Sequence, residues 1–372
     1  MKIFVELEKK SHEQVIFCSD QFTGLRAIIA IHDTTLGPAL GGARMWKYDS
    51  EDTALIDVLR LSRGMTYKAA AAGLNLGGGK AVIIGDPKKG KNEMLFRSFG
   101  RFVNGLGGRY ITAEDVGTSV RDMEWVRAET RYVTGISRAL GGSGDPSPVT
   151  ALGVYTGMKA CAKVVFGSDS LTHLKIAVQG LGHVGSHLVE YLAREEAALI
   201  ITDIDREKVE RIASKYKAEG VEAEQIYSVD ADIFAPCALG GIINDRTIPE
   251  FKFKIIAGGA NNQLENEKLH SRMLYDAGIL YAPDYVINAG GLINVYNELQ
   301  GYNRKKALSQ AEGIYDILMD IFKRSEREGV PTNVASDKIA EDRINAIARI
   351  KRTYSGSSDF LRRIAPQSST ID

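Results

Sequence analysis

The stretch Gly77-Gly-Gly-Lys80 places one ammonium at the end of three residues without side chains, directly before the apolar run Ala81–Ile84. A second lysine, Lys68, sits in an otherwise apolar segment that ends the preceding helical pattern. A carboxylate, Asp115, follows a short apolar run in Tyr110-Ile-Thr-Ala-Glu-Asp-Val-Gly117. Two lysines and an aspartate near strand ends are the components of proton-transfer chemistry, because α/β active sites assemble at strand ends. The glycine run is expected to let a ligand approach the backbone closely. On these residues alone, a solvated lysine at a strand end is equally open, since most lysines are exposed.

A second constellation is Gly180-Leu-Gly-His-Val-Gly185, a G-x-G-x-x-G pattern. It follows the strand-like Lys175-Ile-Ala-Val-Gln179 and opens a helical pattern of Val184, Leu188 and Leu192. Asp203 comes after the next strand, near the spacing of a ribose-binding acid. Gly180 supplies the tight turn, Gly182 the close approach of a pyrophosphate, and Gly185 the packing of helix on strand. The N–H groups of the turn (Leu181, Gly182, His183, Val184, Gly185, Ser186) and the positive helix end would hold the phosphates. Asp203 would bind ribose hydroxyls and repel a 2′-phosphate, which favours NAD over NADP; Arg206, close by, would soften that preference.

The chain must position these groups. It has 372 residues, which favours two domains over a single core. Hydrophobic residues make up 44% and charged residues 25%, with 47 cations against 47 anions. A net charge of zero argues against a general nucleic-acid or membrane-surface binder. Cys18, Cys161 and Cys237 are far apart, show no metal-ligand spacing and are odd in number. Free thiols in the cytoplasm are expected, with no metal site. No apolar run is expected to span a membrane, and the first ten residues lack a signal-peptide core.

Strands are expected at Val15–Cys18, Ala27–His32, Ala81–Ile84 and Tyr110–Thr112, with helices from Ser50-Glu-Asp-Thr53 to about Ala72 and from Asn92 to Leu106. The segment Ala139–Pro148 turns to glycine, proline and serine and marks a hinge. Beyond it, helix and strand alternate, with strands at Lys175–Gln179, Leu199–Thr202, Asp232–Ala235 and Lys254–Ala257. That alternation predicts a parallel doubly wound sheet. The fold class is therefore α/β with two domains: a substrate domain over 1–145 and a Rossmann-type NAD-binding domain over 146–330. A late helix in 331–372 is expected to complete the first domain.

Seven motifs then occur in one order: Gly37-Pro-Ala-Leu-Gly-Gly42, Met65-Thr-Tyr-Lys68, Gly77-Gly-Gly-Lys80, Ala113-Glu-Asp115, Pro146-Ser-Pro-Val-Thr150, Ala257-Gly-Gly-Ala-Asn261 and Asn288-Ala-Gly-Gly291. From about Gln14 to Arg349 the chain resembles the glutamate, leucine, phenylalanine and valine dehydrogenase family, with its leucine-acting branch the nearest. The resemblance implies that Lys68 and Asn288 bind the substrate carboxylate, Lys80 is the general base, and Asp115 handles protons at the amino group. It puts Thr150 and Asn261 near the nicotinamide. It also lines the side-chain site with Leu40, Gly41, Ala113, Leu292 and Val295. Glutamate-acting relatives have a lysine where Leu40 stands and a serine where Val295 stands. A distal carboxylate here would be buried without a partner.

The implied activity is NAD-dependent oxidative deamination of leucine, valine or isoleucine, and its reverse, in a homo-oligomer whose partners are small molecules. Leu292 is shared with some aromatic-acting relatives, so an aromatic amino-acid dehydrogenase is the alternative. A catalytically silent NAD-binding protein is a third reading. A base at neutral pH needs an unprotonated amine. A free lysine titrates near ~10.4, so such a base must have its ammonium destabilised by roughly 3–5 kcal/mol. Lys68 and desolvation would act in that direction and Asp115 against it.

Overall fold

A computed structural model describes residues 3–351. The chain divides into two compact units. Unit 1 holds the chain up to Asp145, Val295–Arg304 and the chain from Ala340 onward; unit 2 holds Pro146–Asn294 and Lys305–Ile339. The part of the expected late helix beyond residue 351 lies outside the described residues.

Unit 1 begins with α1 (Ile3–Lys10), β1 (Gln14–Asp20), β2 (Leu25–Asp33), β3 (Ala39–Leu40) and β4 (Ala43–Trp46). It continues through α2 (Glu51–Ala71), β5 (Gly77–Ile84), α3 (Glu93–Gly105), β6 (Tyr110–Ile111) and α4 (Val120–Arg127). The sheet runs β1-β2-β5-β3-β6, with β4 also pairing β5. It is mixed: β1, β2 and β5 pair antiparallel, while β3, β4 and β6 run parallel to their partners. Helix α2 starts where expected, because the Ser50 hydroxyl accepts from the Thr53 N–H and Thr53 bonds back to the Ser50 N–H. Such a capping box stabilises a helix end by about 1 kcal/mol.

Side chains alternate across a strand, and the alternation gives β5 two faces. Ala81 and Ile83 join Phe96, Phe99 and Tyr110 in one core. Val82 joins Leu55, Val58 and Leu59 of α2 in the other. Gly78 and Lys80 share the Val82 parity, so Lys80 stands on the face that α2 covers.

The glycines belong to the strand rather than preceding it, and their space is already filled. A Cβ on Gly78 would lie 2.1 Å from Thr66 Oγ1 and 2.2 Å from Thr66 N; one on Gly79 would meet the Tyr110 ring at 2.7 Å. The expectation that they clear room for a ligand is corrected: Gly78 lets α2 lie directly on β5, which brings the helix carrying Lys68 against the strand carrying Lys80, while the Cβ places of Gly77 and Gly79 are filled by Asp33 O and the Tyr110 ring.

Unit 2 contains α5 (Ser147–Phe166), β7 (Lys175–Gln179), α6 (His183–Arg194), β8 (Ala198–Thr202), α7 (Arg206–Tyr216), β9 (Glu219–Gly220), β10 (Ile233–Pro236) and β11 (Ile255–Ile256). Then follow α8 (Glu267–Asp276), β12 (Leu280–Tyr281), α9 (Asp284–Ile287), α10 (Gly290–Glu298), α11 (Arg304–Glu312), α12 (Ile314–Glu328) and α13 (Thr332–Ile350). The chain crosses between units before α5, within α10, after the first residue of α11 and within α13. The sheet order is β12-β11-β10-β7-β8-β9, parallel throughout. This is the doubly wound order in which the first strand, β7, sits beside the fourth, β10, and opens the ligand crevice at their C-terminal ends.

Contrary to the expectation from sequence, α5 is long and apolar enough to cross a bilayer by length and composition. Its apolarity has a local cause. It packs against α6 and α12, and Gly153 and Gly157 face Ile314, Ile287 and Leu318 with no room for a Cβ. It is a core helix of unit 2.

Candidate active site

In unit 1 the strand register builds the site. Residue 43 of β4 pairs Ala81, and Arg44 pairs Val82. Beyond β6 the chain keeps running beside β4, with bonds from Ala43 N to Ala113 O at 2.8 Å and from Met45 N to Val116 O at 3.0 Å. Gly117, at φ +80°, turns the chain against the Met45 carbonyl, where a Cβ would lie 2.0 Å from that oxygen. Asp115 is fixed at its backbone by the Thr118 hydroxyl, which accepts from its N–H at 2.8 Å and donates to Ala43 O at 2.9 Å.

The side chains converge accordingly. Lys80, only 5% exposed, places its Nζ 2.9 Å from Asp115 Oδ1. Arg44 Nε donates to Asp115 Oδ2 at 3.0 Å, and Arg44 Nη1 to Asp57 Oδ2 at 3.1 Å. Burial pushes the Asp115 carboxyl up, but Lys80 and Arg44 outweigh it and hold it below the ordinary carboxylate value. Burial likewise opposes the Arg44 charge, yet Asp115 and Asp57 leave the guanidinium above its ordinary value. Lys68 lies in the last turn of α2 and is half-buried. Leu40, Ala113 and Val295 of unit 1 are all buried. Gly41 accepts from the Tyr110 hydroxyl and abuts Gly79 O too closely for any Cβ.

In unit 2 the second motif forms the turn between β7 and α6. Gly180 has φ +93° and lies against Ala238 after β10, while Gly185 packs on the Gly180 carbonyl. Gly182 differs: nothing lies within 4 Å of where its Cβ would be, and no side chain caps α6, which starts from it. An open glycine at an uncapped helix N-terminus fits a dinucleotide pyrophosphate. Leu181 is buried, and its N–H donates to Asp203 Oδ2 at 2.6 Å; Asp203 Oδ1 accepts from Asp205 N–H at 3.0 Å. The carboxylate thus props the glycine turn as well as ending β8, with a further lone pair on each oxygen for a ribose hydroxyl. Ser186 Oγ donates to Leu181 O at 2.7 Å. Val184 packs against Gly259, and His183 is exposed.

Around the Ala257–Asn261 loop, Asn288 Nδ2 donates to Asn261 Oδ1 at 2.7 Å and to Gly259 O at 3.3 Å. Thr150, in the first turn of α5, donates to Pro146 O and stands beside Gly291. Leu292 is buried.

Two participants went unnoticed in the sequence. Arg44 shares the carboxylate of Asp115; its only signal is a lone cation between apolar Ala43 and Met45. Gln263, fully buried, holds the Gly258 and Ala260 carbonyls through Nε2 at 2.8 and 3.0 Å. It carries the loop that presents Asn261. Among the described residues no group of acidic, histidine or cysteine side chains could hold a metal ion.

A family model described as the Glu/Leu/Phe/Val dehydrogenase dimerisation domain matches residues 12–132, and one described as Glutamate/Leucine/Phenylalanine/Valine dehydrogenase matches 197–354. The chain is 59% identical to leucine dehydrogenase from Thermoactinomyces intermedius, over 95% of this chain and 96% of that one. It is 52% identical to L-tryptophan dehydrogenase from Nostoc punctiforme, over 94% and 98%. The crystal structure of the Nostoc punctiforme enzyme is similar with a TM-score of 0.83 at 51% identity, covering 93% of this chain and 99% of that one. The chain belongs to the Glu/Leu/Phe/Val dehydrogenase family.

Proposed function

We propose that this chain is an NAD-dependent dehydrogenase of branched-chain L-amino acids, converting leucine, valine or isoleucine to the 2-oxo acid and ammonia, and the reverse. The observation that carries this reading is the pair of buried Lys80 and half-buried Asp115 at 2.9 Å, on the sheet face covered by the helix that bears Lys68.

Bound NAD supplies the hydride acceptor for Cα of the substrate. The chain's own residues do the rest. Lys68 and Asn288 hold the substrate carboxylate. Lys80 draws a proton from a water as that water adds to the substrate iminium carbon. Asp115 passes a proton to the amino group, and ammonia leaves. Asp115 is ionised at rest, so the proton it passes on is one it first takes from the substrate ammonium as the hydride leaves Cα; ionised again, it takes the hydroxyl proton as ammonia leaves and the carbonyl forms. Thr150 and Asn261 border the nicotinamide, the Gly180–Ser186 turn takes the pyrophosphate, and Asp203 the ribose.

Leu40, Ala113, Leu292 and Val295 take the substrate side chain. All four are apolar and buried, which suits an aliphatic group and leaves a second carboxylate without a partner. One methylene changes discrimination by only about 1–3 kcal/mol, so overlap among aliphatic substrates is expected. The higher identity to a leucine dehydrogenase than to a tryptophan dehydrogenase favours the aliphatic reading.

A homo-oligomer is part of the proposal, supported by the description of the matched N-terminal model as a dimerisation domain. A reducing, cytoplasmic setting is supported by three cysteines that form no disulfide.

The test is NADH absorbance with leucine, valine, isoleucine, phenylalanine, tryptophan and glutamate. The aliphatic three should give the highest kcat/KM. Faster turnover of phenylalanine or tryptophan would transfer the reading to an aromatic substrate, and silence with all six would overturn it.

A further inference from the structure

We propose that Arg44 is a positioning residue for the deamination, which locks the Asp115 carboxylate in place and sets the charge balance felt by Lys80. This rests on the roles given above to Lys80 and Asp115.

The geometry is that of a divided carboxylate. Lys80 takes Oδ1 at 2.9 Å and Arg44 takes Oδ2 at 3.0 Å. With one cation on each oxygen, the carboxylate cannot rotate without losing a partner. Arg44 reaches from β4 to a second carboxylate, Asp57 of α2, at 3.1 Å. Asp57 also accepts from Tyr48 Oη at 2.8 Å and from Arg60 at 3.1 Å. The result is a chain of alternating charge, Asp57–Arg44–Asp115–Lys80. A planar guanidinium can serve two carboxylates at once in fixed directions; a lysine ammonium offers no such fork.

The two ends of the chain differ in environment. Lys80 is 5% exposed, whereas Arg44, Tyr48 and Asp57 line a cavity of about 280 Å³. The charged and titratable groups around Asp115 are Lys80 from β5, Arg44 from β4, Tyr48 between β4 and α2, Tyr110 from β6 and, through Arg44, Asp57 from α2.

Each member has a predictable sign of action on the base. Arg44 divides the attraction of Asp115 and adds a second positive charge, so both effects oppose an ammonium at Lys80. Asp57 offsets the charge of Arg44 and acts the other way. During turnover Lys80 gains and loses a proton while Arg44 keeps its charge throughout, so Asp115 retains one fixed partner at every step.

The experiment is the pH dependence of kcat/KM for the amino acid at saturating NAD, in the wild type, R44M, R44K and D57N. The ascending limb reports the group that must be unprotonated. R44M should move it up by at least ~0.5 pH unit and lower kcat by roughly 10-fold or more, with NAD affinity unchanged. R44K should restore the position of the limb without restoring the full rate, since charge returns and the fork does not. D57N should move the limb down. A loss of folding or general packing cannot give opposite directions in R44M and D57N. Limbs that coincide with the wild type, or that move together, would overturn the proposal. If R44M fails to fold, R44K and D57N decide it: the limb must stay in the first and fall in the second. K80A is measured alongside. Retained turnover in K80A would remove the underlying assignment of Lys80, whereas a silent K80A with unmoved limbs elsewhere would remove only the role of Arg44.

Discussion

Two glycine-rich segments, one in each unit, look alike as strings of letters and do opposite things. In the Gly77–Gly79 run of β5 every missing side chain is replaced by the protein's own atoms: Asp33 O, Thr66 and the Tyr110 ring lie where Cβ atoms would be. In the Gly180–Gly185 turn, two glycines are packed in the same way, but the middle one, Gly182, faces open space at a helix N-terminus. The first run is a packing device, in which Gly78 lets α2 lie on the sheet and so brings two lysine-bearing elements together. The second leaves Gly182 open, where the proposed pyrophosphate would sit, with packing on either side. A glycine's purpose follows from what its absent Cβ would touch, which only the fold reveals.

Substitution breaks or sharpens this comparison. Gly78→Ala should cost about 3 kcal/mol or more, because the new methyl would meet the α2 backbone, which cannot move aside as a flexible side chain would. Gly182→Ala, at φ −63° with nothing nearby, should leave stability within about 0.5 kcal/mol and instead weaken NAD binding. Equilibrium denaturation of both variants, with NADH titration of the second, checks the contrast. A stable Gly78→Ala would show that β5 and α2 are less tightly apposed than described.

The next largest effect is acid sensitivity of the same α2–sheet contact. His32 Nδ1 lies 2.8 Å from Thr66 Oγ1, and its Nε2 donates to Lys10 O at 3.0 Å, so the neutral ring accepts from the threonine. His12, edge-on to His32 with centroids 4.8 Å apart, reaches Ser62 Oγ at 2.9 Å. Burial lowers both imidazoles from 6.5 to about 4, with His32 the next contributor for His12, and Arg63 lowers both as well. Both rings are therefore neutral in the folded state. Their contribution is complete above the unfolded value of 6.5 and is lost as pH falls through it toward 4. For His32 alone the loss reaches about 2 kcal/mol at pH 5. Hydrogen exchange at pH 7 and pH 5 should show α2 and β2 losing protection. Equal protection at both pH values would contradict this.

A smaller effect belongs to unit 2. Asp203→Ala should weaken NAD binding by roughly 10-fold, since ribose loses a charged acceptor and the Leu181 N–H its prop. Unchanged affinity would remove the ribose assignment.

Much of the fold was legible because its signals are local. Lys175–Gln179 is β7 residue for residue, the Ser50 cap starts α2 as read, and α3 starts one residue after the expected Asn92, which caps it. Ala311, Ile314, Leu318 and Ile321 recur at helical spacing and are fully buried, although Gly313 divides them between α11 and α12. The two-residue strands β3, β9 and β12 escaped notice. They carry no periodicity and exist only because a neighbouring strand supplies hydrogen bonds.

The site divides similarly. Lys80 and Asp115 stand out as charges at strand ends. Arg44 does not, because its partner Asp115 is 71 positions away and only the β4–β5 register and the turn at Gly117 bring them together.

The central claim is that Lys80, paired with Asp115 beneath α2, is the proton acceptor of the deamination. The most direct measurement is turnover of Lys80→Ala together with its NADH dissociation constant. kcat should fall by about 10²–10⁴-fold while NADH binding stays within about threefold of the wild type. Substantial residual turnover, or loss of cofactor binding together with activity, would contradict it.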